Sequence, residues 1–72
     1  MNLEQAKTAA AKLLADIPFG AELDITKCDH DIWLGMGYFV GRGWAFYRGS
    51  NCYRMSDEGR KRIAQQARME FT

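Results

Sequence analysis

Ile32-Trp33-Leu34-Gly35-Met36-Gly37-Tyr38-Phe39-Val40 decides the fold of this 72-residue chain, because its apolar residues satisfy two periods at once. Ile32, Met36, Phe39 and Val40, with Trp33 and Gly37 beside them, fit a buried helical face. Ile32, Leu34, Met36, Tyr38 and Val40 also alternate with their neighbours as a strand would. Gly35 and Gly37 each cost a helix about 1 kcal/mol relative to alanine unless close packing compensates, and they are no better in a strand. The flanks favour the helix: Asp29 or Asp31 can cap its start, and Gly41 or Gly43 can end it.

Downstream, Trp44-Ala45-Phe46-Tyr47-Arg48 and Cys52-Tyr53-Arg54-Met55 have strand-forming composition around Gly49-Ser50-Asn51, which predicts a β-hairpin. Phe46 with Trp44, and Tyr53 with Met55, are expected on its inner face, leaving Tyr47, Arg48 and Arg54 more exposed. Ser56 then caps a last helix, with Asp57 and Glu58 favourable in its first turn. Ile63, Ala67 and Phe71 recur every four residues and define its packing side. Gly59 is expected where this helix comes close to the hairpin.

Upstream, Asn2 and Gln5 are placed for a capping box ahead of a helix whose Leu3, Ala6, Ala10, Leu13, Leu14 and Ile17 recur at helical spacing. Pro18 and Gly20 end it. Ala21 to Thr26 alternates as a short strand with Leu23 and Ile25 facing inward. The predicted fold is therefore α+β, a single domain over residues 1–72: N-terminal helix, short strand, middle helix, β-hairpin and C-terminal helix. If residues 32–40 are a strand, the alternative is a three-stranded antiparallel sheet flanked by two helices.

A chain this short hides only about 60% of its unfolded surface, so its core is thin and an enclosed substrate cavity is not expected. Hydrophobic residues at 47% and charged residues at 26% place it with folded soluble domains. With no basic stretch and hydrophobic core at the N-terminus, and no apolar run of bilayer length, the expected location is cytoplasmic and away from membranes. Charge divides unevenly. Residues 1–31 carry three basic against six acidic side chains, and residues 32–72 carry seven against three. Ile32 to Met55 holds seven of the nine aromatics, three arginines and no acid, which points to a polyanion or an acidic protein as partner.

Two passages, Asp31-Ile32-Trp33-Leu34-Gly35-Met36-Gly37-Tyr38-Phe39-Val40-Gly41-Arg42-Gly43-Trp44 and Tyr53-Arg54-Met55-Ser56-Asp57-Glu58-Gly59-Arg60-Lys61-Arg62-Ile63, resemble the later part of a winged helix-turn-helix DNA-binding domain. The resemblance implies a recognition helix at Asp31 to Val40, with Arg42 near its end. It also implies a winged-helix-like fold in which the hairpin is the wing, flanked by Arg48 and Arg54, and Asp57-Glu58-Gly59-Arg60 is the turn into the last helix. The family has a separate helix before the recognition helix. Lys27 to Asp29 leaves no room for it unless Ala21 to Thr26 forms that helix. The implied recognition helix carries Trp33, Leu34, Tyr38 and Phe39 where Arg, Asn or Gln would read bases.

The expected function is a small DNA-binding regulatory protein, non-enzymatic and dimeric because one copy has a small footprint. Arg42, Arg48, Arg54, Arg60, Lys61 and Arg62 would approach the phosphates of duplex DNA, and Tyr47 would pack on sugar or base edges. The alternative uses Trp33, Tyr38, Trp44 and Tyr47 as anchors for a protein partner. That would make the chain an adaptor or an inhibitor of a host protein, such as a viral or prophage accessory protein. Cys28, His30 and Cys52, with Asp29 or Asp31, lack the compact Cys-x-x-Cys spacing of a zinc site, so neither metal nor cofactor is expected.

Overall fold

A computed structural model describes residues Asn2 to Met69. Three helices and a three-stranded antiparallel sheet follow the order α1 (Leu3–Ala15), β1 (Leu23–Asp24), α2 (His30–Gly41), β2 (Ala45–Gly49), β3 (Cys52–Met55) and α3 (Asp57–Ala67). Phe71, expected on the packing side of the last helix, lies outside the described residues.

Local chemistry sets the helix starts. The Asn2 side chain accepts from the Gln5 amide at 2.9 Å while Gln5 returns a bond to the Asn2 amide, so the capping box is complete. Ser56 Oγ accepts from the Gly59 amide at 3.0 Å and donates to the Gly43 carbonyl at 2.8 Å, which fixes the start of α3 to the segment entering the hairpin. Asp29 is the N-cap of α2 without a side-chain cap bond, and Asp31 lies in its first turn.

The ambiguous stretch is a helix because of what it meets. A Cβ on Gly35 would stand 2.7 Å from both the Ala10 Cβ and the Ala6 carbonyl oxygen, so α1 and α2 touch through glycine and alanine. Beside that crossing, Met36 and Phe39 on α2 join Ala10, Ala11 and Leu14 on α1, with Ile25, Ala45, Met55 and Ile63 completing the core. Leu3, expected on the buried face of α1, is exposed, whereas Ala11 is fully buried. A buried bond of 2.9 Å from Gln66 Nε2 to Thr8 Oγ1 ties α3 to α1. Gly37 has open space where a Cβ would go. Gly37→Ala is therefore expected to stabilise the domain by about 0.5–1 kcal/mol in dilute solution, and Gly35→Ala to destabilise it by about 1–3 kcal/mol. Urea denaturation of the two variants checks this pair of opposite signs.

In the sheet, β3 is central, pairing with β1 through Leu23 and Asp24 and with β2 through Ala45, Phe46, Tyr47 and Gly49. Only Leu23–Asp24 of the expected Ala21–Thr26 strand pairs, although Ile25 is fully buried and its amide donates to the Asn51 carbonyl. The hairpin turns on Ser50 and Asn51, both at positive φ as a type I′ turn requires. The register slips between Tyr47 and Gly49, leaving Arg48 as a bulge.

This register keeps Tyr53 and Met55 on the expected inner face but corrects Phe46. Ala45 pairs with Met55, and Tyr47 with Tyr53, on the side facing the helices, where Ala45 and Met55 are buried. Phe46 pairs with Arg54 and so turns outward with it. Sequence composition favoured the larger Phe46 as the inward residue, but Ala45, buried and paired with Met55, takes that side of β2.

Candidate nucleic-acid interface

The outward face of the hairpin brings arginine and aromatic side chains together. The Arg48 and Arg54 guanidinium carbons each lie 6.0 Å from the Phe46 ring centre, at the outer limit of a cation–π contact. Arg54 also runs toward the loop between α1 and β1, where its Nη2 would lie 3.8 Å from a Cβ on Gly20. Next to Gly20, Phe19 is 47% exposed, and the Arg60 guanidinium stacks on its ring at 4.4 Å. A band of Arg48, Phe46, Arg54, Phe19 and Arg60 therefore runs from the hairpin across the loop to α3.

The band is not uniformly positive. Arg48 pairs with Glu22 at 3.5 Å, an exposed contact of the kind that contributes about 0–1 kcal/mol and leaves the guanidinium able to exchange partners. Arg54 is half-buried, has no carboxylate within ion-pair distance among the described residues, and its buried Nε lacks a hydrogen-bond partner there. An added anion would gain most beside such an unpaired cation. Farther along α3, Arg60, Lys61 and Arg68 line a shallow cleft with Ala64 and Gln65. Arg62 pairs with Glu58 at 3.8 Å on the exposed side of the same helix.

Two acids next to the hairpin shape local chemistry. Asp24 accepts from the Thr26 hydroxyl and amide at 2.6 and 2.8 Å, and these bonds, the hydroxyl first, hold its carboxyl below the ordinary value. Partial desolvation, then the charges of Asp24 and Glu22, push the Cys52 thiol up. Cys28 and Cys52 are free thiols, and among the described residues no three His, Cys, Asp or Glu side chains gather as metal ligands would.

Other predicted residues stand elsewhere. Arg42 lies over the Tyr38 ring at 5.0 Å, and Lys7 over the same ring at 4.1 Å, at the junction of α1 and α2. Tyr38 and Trp44 are half-buried, their rings 6.0 Å apart, and both pack against the core. Tyr47 is exposed, but it leans edge-on to Tyr53 at 5.3 Å, and its hydroxyl accepts from the Asn51 amide near the turn. Of the proposed protein anchors, Trp33 stands outside this packing, on the exposed side of α2.

Phe19 and Phe46 were missed as site residues. The sequence signal for Phe19 was an aromatic between Pro18 and Gly20, in a turn with no helical face to join. Phe46 was assigned to the wrong side by composition.

No protein-family model matches this chain, no curated protein matches it in sequence, and no solved structure matches its fold. No helix among the described residues is long and apolar enough to cross a membrane.

Proposed function

We propose that this protein is a small, non-enzymatic regulatory protein that binds duplex DNA through phosphate contacts along the Arg48–Arg54–Arg60 band. The observation that carries the proposal is the continuity of that band across three parts of the fold, which spaces cations along one surface rather than scattering them. Phosphate contacts position a protein on DNA without reading its sequence. Weak sequence preference follows, because α2 turns Trp33, Leu34, Gly37, Val40 and Gly41 outward and these offer base edges only the single Trp33 indole N–H in place of the paired contacts of Arg, Asn or Gln.

A helix followed by a two-stranded hairpin and a final helix supports the winged-helix resemblance, with the hairpin as wing. Against a full match, Ala21 to Thr26 contains a strand rather than a helix, and only a short turn separates β1 from α2. Lys61 and Arg62 extend the charged surface along α3, Arg42 lies beyond the band, and Tyr47 is available near the hairpin tip.

Affinity for duplex DNA is expected at low salt and to fall steeply as salt rises. Arg48→Gln combined with Arg54→Gln, in a protein shown to fold, is expected to weaken binding about 10-fold or more. Glu22→Gln is expected to act in the opposite direction by releasing Arg48. No association at low salt would rule the DNA role out, and undiminished binding by the double variant would rule out the arginine band as its site.

A second function is favoured by a separate observation. The outward side of α2 is apolar, with Trp33, Leu34 and Val40 at 39%, 48% and 40% exposure, which suits an adaptor or inhibitor that docks on a protein.

A further inference from the structure

We infer that the arginine band prefers DNA in which a few bases are unpaired over an intact duplex, with the Phe46 and Phe19 rings stacking on the freed bases; this rests on the DNA-binding role proposed for the same band. Both rings stand outside the core cluster, at 38% and 47% exposure. Guanidinium groups flank them: Arg48 and Arg54 lie near Phe46, and Arg60 lies on Phe19.

The cations hold the two rings differently. Arg60 is in stacking contact with Phe19 at 4.4 Å, whereas Arg48 and Arg54, each 6.0 Å from the ring centre, do not close on Phe46. A base stacks at about 3.4 Å, the spacing of bases along a strand. Arg48 is held outside the hairpin only by its exposed pair with Glu22, so it can swing to a phosphate as a base arrives at the ring. Between the rings stands Arg54, whose Nη2 would lie 3.8 Å from a Cβ on Gly20, next to Phe19. A strand whose bases reach both rings therefore meets a cation for its phosphates between them.

Alternating cations and aromatic rings suit a single strand, because the cations track the backbone while the rings stack on successive bases whatever their identity. In an intact duplex the bases stack on one another and show only their edges to the grooves. The arginines then still meet phosphates, but the rings gain nothing. Opening paired bases costs free energy comparable to what stacking returns, and least where the bases are mismatched. The preference is therefore for DNA that is already open, such as a bubble or the junction of a duplex with a single strand.

Fluorescence anisotropy of the full chain tests this with two probes of equal length at one low salt concentration, an intact duplex and the same duplex with a short central run of mismatched bases. The mismatched probe is expected to bind about tenfold more tightly. Phe19→Leu combined with Phe46→Leu, with folding checked by circular dichroism, keeps apolar side chains but removes both flat rings, and is expected to bring the ratio of the two affinities close to one. Phe46→Trp, which keeps a ring, is expected to retain the preference. Equal affinity of the unchanged protein for both probes would overturn the inference and leave phosphate binding to the duplex standing. A preference that survives the double leucine variant would also overturn it. Absence of binding to either probe would overturn the DNA role itself and this inference with it.

Discussion

Phe39→Ala is expected to lower the stability of the domain by about 3–5 kcal/mol. Phe39 is the largest fully buried side chain among the described residues, and its ring meets Tyr38 and Trp44 at centroid distances of 6.1 Å. Removing it takes away the transfer free energy of the ring and leaves a cavity between α2 and the hairpin that small neighbours such as Ala10 and Ala45 cannot fill. A domain of this size has only about 4–11 kcal/mol of stability in total, so the loss is a large share of it. Thermal denaturation followed by circular dichroism measures the effect. A melting temperature close to that of the unchanged protein would show that the core is centred elsewhere.

Gly59→Ala is the second large effect, expected to cost about 3 kcal/mol or more although it adds a single methyl group. The added Cβ would overlap the Trp44 carbonyl group and Cα, which are backbone atoms unable to swing aside. The same place is held by the Ser56 amide bonded to the Trp44 carbonyl at 3.0 Å and by Ser56 Oγ bonded to Gly43. To make room, α3 must lift from the start of the hairpin and lose those bonds. Alanine is otherwise the better helix former, so a stabilised Gly59→Ala variant would mean that α3 does not sit against Trp44. Denaturation in urea, compared with the harmless Gly37→Ala, isolates the close approach from helix propensity.

The elements whose determinants are local could be read from sequence. Asn2 with Gln5, Ser56 with Gly59, and the Gly49-Ser50-Asn51 turn each act over a few residues, and each marks its boundary in the fold. Helix or strand at Ile32 to Val40 was open because both periods fit; Gly35 against Ala6 and Ala10, a contact across more than twenty residues, decides it. On the hairpin, Phe46 was placed on the wrong face for a similar reason. Strand composition does not reveal that β2 must present Ala45 to the helices, and that pairing then forces Phe46 outward. At the candidate interface the arginines were visible as charges, but their grouping was not. Arg60 joins Arg54 only through the loop at Phe19 and Gly20, forty residues away in the chain.

The two outward surfaces have different chemistry. One alternates guanidinium groups and aromatic rings, and the other is a charge-free helix face with open glycines. Phosphates suit the first because it gathers guanidinium groups, whereas the second carries no charged side chain to offer a polyanion. This division of labour is what separates the proposed binding mode from one in which α2 enters a DNA groove.

Backbone amide NMR shifts during a titration with a short DNA duplex at low salt test that division most directly. The predicted result is perturbation of Phe19, Gly20, Phe46, Arg48, Arg54 and Arg60, reversed by added salt, with Trp33, Leu34 and Gly37 unaffected. Perturbation centred on Trp33 to Gly41, or none along the arginine band, would contradict it.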